Sequence, residues 1–340
     1  MTDQAIVVGV GHYPRLGRRG EEANDLPGAI ADADAIAAWL SGTAGVAVHK
    51  ITSTGFNDQP WQVEDIRPWL EDVNTAFSRF VTGDNNEGSR LYLYMAGHGF
   101  APQFLSRCLI FGNAVASDSP YLPNCEAPAW IEWFSQQTRF DELVLWMDCC
   151  GNPGLDYFPG KPPVERRVTR AQADARVFMA FASGNGREAY EELDENGNVR
   201  GIFTRKLLRG LQGHGANAAG EVRSASLANY LRGGSDTVSD GLTDRSLKTP
   251  KPIVPMEDDM LFAKTGWPSY RVAIRDSRGG IPPDGTEIVA TNANMGFRQA
   301  SSLEQGWVTF EFPVGLFKLT GPDTCRFVEI GAETPDRIDC

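Results

Sequence analysis

The sequence predicts an α/β fold: a mostly parallel sheet flanked by helices, followed by a small all-β sandwich domain. Three observations predict it. The apolar runs Leu91–Met95 and Leu143–Met147 are nearly unbroken, the pattern of strands buried on both faces of a parallel sheet. Segments of helical periodicity alternate with such runs as far as residue 262, as in βαβ units. From residue 266 the helical pattern stops, and short strands separated by Gly, Pro and Asn turns follow. The expected domains are therefore 1–262 and 266–340 of a 340-residue chain.

Taken in order, Ala5–Val10 reads as the first strand. No basic segment precedes it, so it is not expected to be a secretory leader. Gly28–Leu40 is helical, because Ile30, Ala33, Ala37 and Leu40 recur at helical spacing. Gly45–Thr52 is the second strand. Trp61–Phe80 is an amphipathic helix with Ile66, Leu70, Val73 and Phe77 on one stripe. Arg90–Met95 is the third strand. Phe100–Asn124 is a long excursion with a hairpin around Cys108–Phe111, and Ala127–Gln137 is a helix before the strand that ends at Met147. Asn152–Ala175 is a long Pro-rich loop, and loops of that length in compact domains are functional or disordered. Arg176–Ala182 is the fifth strand, and Phe203–Leu211 and Ser224–Arg232 are helices. Gly233–Pro252 is turn-rich, and Ile253–Phe262 leads out of the domain. The sandwich strands are Tyr270–Ile274, Thr286–Thr291, Trp307–Phe312, Leu316–Leu319 and Arg326–Ile330.

Composition narrows the function. A net charge of −12 argues against a general nucleic-acid binder. No apolar stretch reaches the length of a membrane helix. The six cysteines are scattered, with neither a disulfide framework nor zinc spacing, which points to a reduced, cytoplasmic protein without a metal site.

The chemistry lies where the two apolar runs stop. One ends in Ala96-Gly97-His98-Gly99, the other in Asp148-Cys149-Cys150-Gly151. Reactive groups in open α/β sheets sit at the carboxyl ends of strands. If these strands are parallel neighbours, an imidazole and a thiol emerge at one edge, as nucleophilic catalysis requires. His98 precedes Cys150 by 52 residues, against about 50 in caspases.

LYLYMAGHGF and LVLWMDCCG resemble the two catalytic strands of the caspase-like (C14) cysteine peptidases, most closely the metacaspase and paracaspase branch with its prokaryotic relatives. AIVVGVGHYPRLG, LPGAIADADAIAAWL, FMAFASGNGREAYE and GIFTRKLLRGL extend the resemblance to roughly residues 4–255. It implies a caspase-like sheet and a cysteine endopeptidase acting through a thioester. Cys150 would be the nucleophile, His98 the general base and acid, and the backbone N–H groups of Gly99 and Cys150 the oxyanion site. Strand alternation agrees, setting Asp148 and Cys150 on one side and Cys149 on the other.

Asp32 matches the metacaspase pocket aspartate, and Asp148 stands where aspartate-specific caspases carry Gln. Two carboxylates would repel an acidic P1 side chain and pair with Arg or Lys. Ala29, Ala96 and Gly151-Asn152 depart from the usual metacaspase residues. The resemblance also places self-processing in the loop after the nucleophile, where a preference for basic P1 residues would put the cut after Arg166, Arg167 or Arg170. Some metacaspases need calcium, and Glu188–Asn198 with Asp194, Asn196 and Gly197 is oxygen-rich, although its spacing is not that of an EF-hand. No cofactor is expected for the chemistry itself. The expected partner is a protein substrate. The β domain offers no catalytic residue and is a candidate to bind an activating protein or ligand. Two rival readings are a catalytically idle caspase-like interaction module and a redox or metal module on Cys149 and Cys150.

Overall fold

The structure is a computed structural model that describes all residues except 1–2, 17–24, 43–45, 54–66, 83–86, 116–120, 154–156, 163–174, 195–196, 233–251, 277, 293–295, 331–333, 335 and 340. The chain divides into two compact units. One runs to Leu208 and resumes in the segment ending at Met260; the other holds the residues from Arg209 up to that segment and from Leu261 onward.

The first unit is built on β1 (Gln4–Gly9), α1 (Pro27–Gly42), β2 (Ala47–Thr52), α2 (Leu70–Thr82) and β3 (Glu87–Ala96). A small sheet of β4 (Gly99–Phe100), β5 (Cys108–Ile110) and β6 (Asn124–Glu126) follows, then α3 (Ala127–Gln137), β7 (Arg139–Asp148) and β8 (Arg176–Phe181). A hairpin of β9 (Glu191–Leu193) and β10 (Val199–Gly201) leads into α4 (Ile202–Arg209). The second unit contains β11 (Glu221–Arg223) and α5 (Ser224–Arg232). The chain then returns to the first unit as β12 (Ile253–Glu257) and leaves it as β13 (Leu261–Lys264), antiparallel to β11.

The central sheet has the order β12-β8-β7-β3-β1-β2. β2, β1, β3, β7 and β8 pair parallel, and β12 adds antiparallel on β8. Strand order reverses between β1 and β3, so a crevice opens beyond their carboxyl ends. The apolar runs are buried as their composition requires. Burying each of Leu91, Leu93, Met95, Leu143, Leu145 and Met147 contributes about 1.5–3 kcal/mol. Away from the crevice, Glu142 bonds both Arg90 and Arg176, linking β3, β7 and β8.

The second unit carries two small sheets, β17-β14-β20 and β16-β15-β18-β19. Their strands are β14 (Ser269–Ala273), β15 (Glu287–Asn292), β16 (Phe297–Ser302), β17 (Trp307–Glu311), β18 (Gly315–Gly321), β19 (Thr324–Ile330) and β20 (Arg337–Asp339). Both contribute to one core, with Tyr270, Val272 and Phe310 from the first sheet and Ile288, Phe317 and Val328 from the second. This is the expected all-β pattern of alternating buried and exposed residues.

Two expectations are corrected. The helix expected over Trp61–Phe80 starts at Leu70. Pro68 lacks a donor and disfavours helix at Arg67, and the Trp69 N–H donates instead to Asp72 Oδ2 at 2.9 Å. Residues 61–66, including Ile66, lie outside the described residues. Ile253–Phe262 does more than lead out: Ile253–Glu257 becomes the sixth strand of the central sheet, with an irregular register between Ile253 and Met256. β16 and β20 were not expected; FRQASS and RID carry too few apolar residues to announce a strand.

Candidate active site

The two reactive strand ends lie level. Ala96 of β3 registers with Asp148 of β7, and the Gly97 N–H donates to the Asp148 carbonyl at 3.1 Å. Gly97 turns the chain out of the sheet at φ +149°, a conformation that L side chains rarely adopt. His98 follows half-buried, and Gly99 begins β4. A Cβ on Gly99 would lie 2.8 Å from Cys149 Sγ, so glycine is what admits this close packing.

The vicinal cysteines part. Cys149 is buried in the apolar core with Met147, Phe100 and Cys108, and burial pushes its thiol far above the ordinary range. Cys150 is half-buried, and its Sγ accepts the Ala189 N–H at 3.4 Å. Its thiol is also raised, first by burial, so it needs a base to become a thiolate near neutral pH.

Cys150 and His98 line one cavity of about 80 Å³ together with Asp32, Asp148, Glu191 and Gly201. Asp32, 1 % exposed, stands on the α1 face that packs on the sheet. Its Oδ1 lies 2.6 Å from Arg200 Nε, and its Oδ2 accepts the Gly201 N–H at 2.6 Å. Asp148 Oδ2 accepts the Thr204 N–H at 3.1 Å and the Thr204 hydroxyl at 2.7 Å. Glu191 faces the backbone N–H groups of Gly28 and Ala29 in the first turn of α1, which has no acidic residue of its own there.

Electrostatics make this cavity hungry for positive charge. Burial raises Asp32, and the Asp148 carboxylate raises it further, while Arg200 pulls it back. Burial also raises Asp148 against the lowering effect of Thr204. Glu191 is pushed up to about 7 by burial and by Asp32. Three carboxylates and one guanidinium leave a deficit that a bound cation would fill.

Glu191, Arg200, Gly201 and Thr204 were not anticipated from the sequence. They arrive on the β9–β10 hairpin and the start of α4. The signal that points to Glu191 is Gly28: a Cβ there would lie 2.5 Å from Glu191 Oε1. Arg166, Arg167 and Arg170 lie outside the described residues. Asp194, from the oxygen-rich turn, accepts the Asn198 N–H at 2.8 Å on one carboxylate oxygen and the Asn198 amide at 3.3 Å on the other. Among the described residues no cluster of three or more His, Cys, Asp or Glu is placed to hold a metal. Asn196, from the same turn, lies outside the described residues.

Comparison with known proteins gives the family of the domain. The caspase-domain profile of peptidase family C14 matches residues 2–232. A probable protease of a Desulfuromonadales bacterium is 29% identical over 235 residues, which are 63% of this chain and 26% of that protein. The matched region is thus about a quarter of the relative's length. Among solved structures, caspase-1 from Spodoptera frugiperda is similar at TM-score 0.47 and 11% identity, covering 77% of this chain and 89% of the other. The Arg-specific cysteine proteinase gingipain R is similar at TM-score 0.34 and 10% identity, covering 96% and 66%.

Proposed function

The chain belongs to the caspase-domain family of cysteine peptidases, and from that membership we propose that it is an endopeptidase that cleaves after Arg or Lys. The observation that carries this reading is the convergence of Asp32, Asp148 and Glu191 on the cavity that His98 and Cys150 line.

In the proposed cycle His98 takes the Cys150 proton, and the thiolate attacks the scissile carbonyl carbon. The N–H groups of Gly99 and Cys150 receive the oxyanion. His98 then protonates the leaving amine, and water, deprotonated by His98, hydrolyses the thioester. The P1 guanidinium or ammonium enters the carboxylate cavity, where an acidic side chain would add a fourth negative charge. Arg200 and Thr204 hold the two aspartates in place.

The test pairs fluorogenic peptides identical except for Arg or Asp at P1, run with and without calcium beside Cys150→Ala. Cleavage of the Arg peptide alone, lost in Cys150→Ala, is expected. Cleavage of the Asp peptide would discard the carboxylate cavity as the P1 site, and turnover by Cys150→Ala would discard the nucleophile.

Self-cleavage at Arg166, Arg167 or Arg170 follows from the same preference. Alanine at all three should abolish any processed band on a gel. The β-rich unit is read as the attachment point for an activating protein or ligand. A reducing, cytoplasmic setting suits a thiolate enzyme whose described cysteines are all free.

A further inference from the structure

One buried group beside the dyad has no role in the cycle above. Tyr13 lies four residues beyond β1, is fully buried, and is absent from the cavity wall. Its hydroxyl closes a circuit of three hydrogen bonds. The His98 N–H donates to Tyr13 Oη at 2.9 Å, Tyr13 Oη donates to the Ile110 carbonyl at 3.0 Å, and the Ile110 N–H donates to the His98 carbonyl at 2.8 Å. The Tyr13 ring also stands edge-on to the His98 imidazole, with centroids 4.7 Å apart and planes at 63°.

Two features build this contact. Residue 97 is glycine, and a Cβ there would sit 2.4 Å from Tyr13 Oη. Tyr13 itself is fixed, its N–H donating to Asp25 Oδ1 at 2.8 Å.

Resting on the dyad reading above, we propose that Tyr13 is a positioning residue that holds the His98 imidazole in reach of Cys150. Both backbone polar groups of His98 are committed in the circuit, which fixes its dihedrals, and the tyrosine ring restricts the imidazole from one side. Burial keeps the phenol neutral through the working pH range, so a single hydroxyl donates and accepts together. A general base displaced by about 1 Å loses much of its effect.

The experiment follows two readouts in the full chain: turnover of the Arg peptide, and the pH dependence of Cys150 alkylation by iodoacetamide, read by peptide mapping. Tyr13→Phe keeps the ring and removes only Oη. It should lower kcat about tenfold or more with KM within about twofold, and move the alkylation midpoint toward that of His98→Ala. Asp25→Ala, which removes the acceptor of the Tyr13 N–H and leaves the His98 backbone untouched, should shift both readouts in the same direction, and it decides the matter if Tyr13→Phe does not fold. Val73→Ala, a cut in the core contact of α2, controls for lost stability. Wild-type kcat and alkylation in Tyr13→Phe, or equal losses in Val73→Ala, would overturn the proposal. If His98→Ala alkylates like wild type, the dyad reading itself falls and the role of Tyr13 falls with it.

Discussion

Arg200 holds Asp32 by an ion pair of 2.6 Å between Nε and Oδ1, across 168 residues of sequence. The aspartate is almost wholly buried, whereas the arginine side chain is 18% exposed. Removing the guanidinium strands a carboxylate in the core. Arg200→Met should therefore cost about 1–3 kcal/mol at pH 8, less than a fully buried pair because water reaches the arginine. The cost should shrink near pH 5.5, since Asp32, already raised by burial and Asp148, takes up a proton more readily without its partner. Urea unfolding at the two pH values measures the difference.

Binding of a cation should depend on pH through the same cavity. Glu191, raised to about 7, gains a proton as pH falls through that value, and a cation must then displace it. Affinity for agmatine, measured by calorimetry, should weaken below about pH 7 and approach tenfold per pH unit where one proton is released. Glu191→Gln should bind more weakly at pH 8 and with a shallower pH slope. Affinity constant between pH 5 and 8 would contradict this.

Rising pH, which favours the bound cation, disfavours the fold at the same carboxyl. A carboxyl whose folded pKa lies above its unfolded one holds more protons when folded, so its contribution falls as pH rises from about 4.5 through about 7. Wild type should therefore lose Tm relative to Glu191→Gln between pH 5 and pH 8. A constant difference in parallel thermal melts would count against the raised carboxyl.

The Gly201 backbone lies against both aspartates. A Cβ there would lie 2.3 Å from Asp148 Oδ2 and 2.6 Å from Asp32 Oδ2. Gly201→Ala should overpack the cavity floor, costing about 1–3 kcal/mol of stability. It should raise KM for the Arg peptide about tenfold or more while leaving the alkylation rate of Cys150 near wild type. Equal effects on both readouts would mean a general collapse of the site.

The neighbouring cysteines should behave differently. Cys149 is buried with a strongly raised thiol, whereas Cys150 is half-exposed in the cavity. Iodoacetamide near neutral pH should modify Cys150 and the exposed Cys325 and leave Cys108, Cys125 and Cys149 intact. Cys149→Ala should keep turnover within a few fold and cost about 1–2 kcal/mol as a small core deletion. Mass mapping and steady-state kinetics give both answers.

What could be read in advance follows from how locally each feature is encoded. Leu91–Met95 and Leu143–Met147 advertise buried parallel strands without help from the rest of the chain, and Asp148 is fixed by the strand that ends on it. Asp32 is legible only through the resemblance of its segment to the family's first helix, because the apolar stripe of Ile30, Ala33, Ala37 and Leu40 does not single it out. Glu191 and Arg200 are not, because Tyr190-Glu191-Glu192 and Val199-Arg200 read as ordinary solvated hairpin residues. Only the fold brings them to α1. The first turn of α1 has no acidic residue of its own, and that, with Gly28, is the trace of Glu191 in the sequence. Pro68 was a legible breaker that the long apolar stripe outweighed.

The rung between Gly97 and Asp148 separates two inheritances within one site. The spacing of the reactive pair is dictated by the sheet, where neighbouring strands lie about 4.8 Å apart whatever the loops do. Of the three carboxylates of the cavity, Asp148 ends a strand of that sheet, whereas Asp32 hangs on α1 and Glu191 on a two-stranded hairpin outside it. In the proposed reading, the reaction and two of the three address-reading carboxylates are thus written on different parts of the scaffold. Descendants of such a chain are free to exchange hairpins and acquire new preferences while the engine beneath stays as it was.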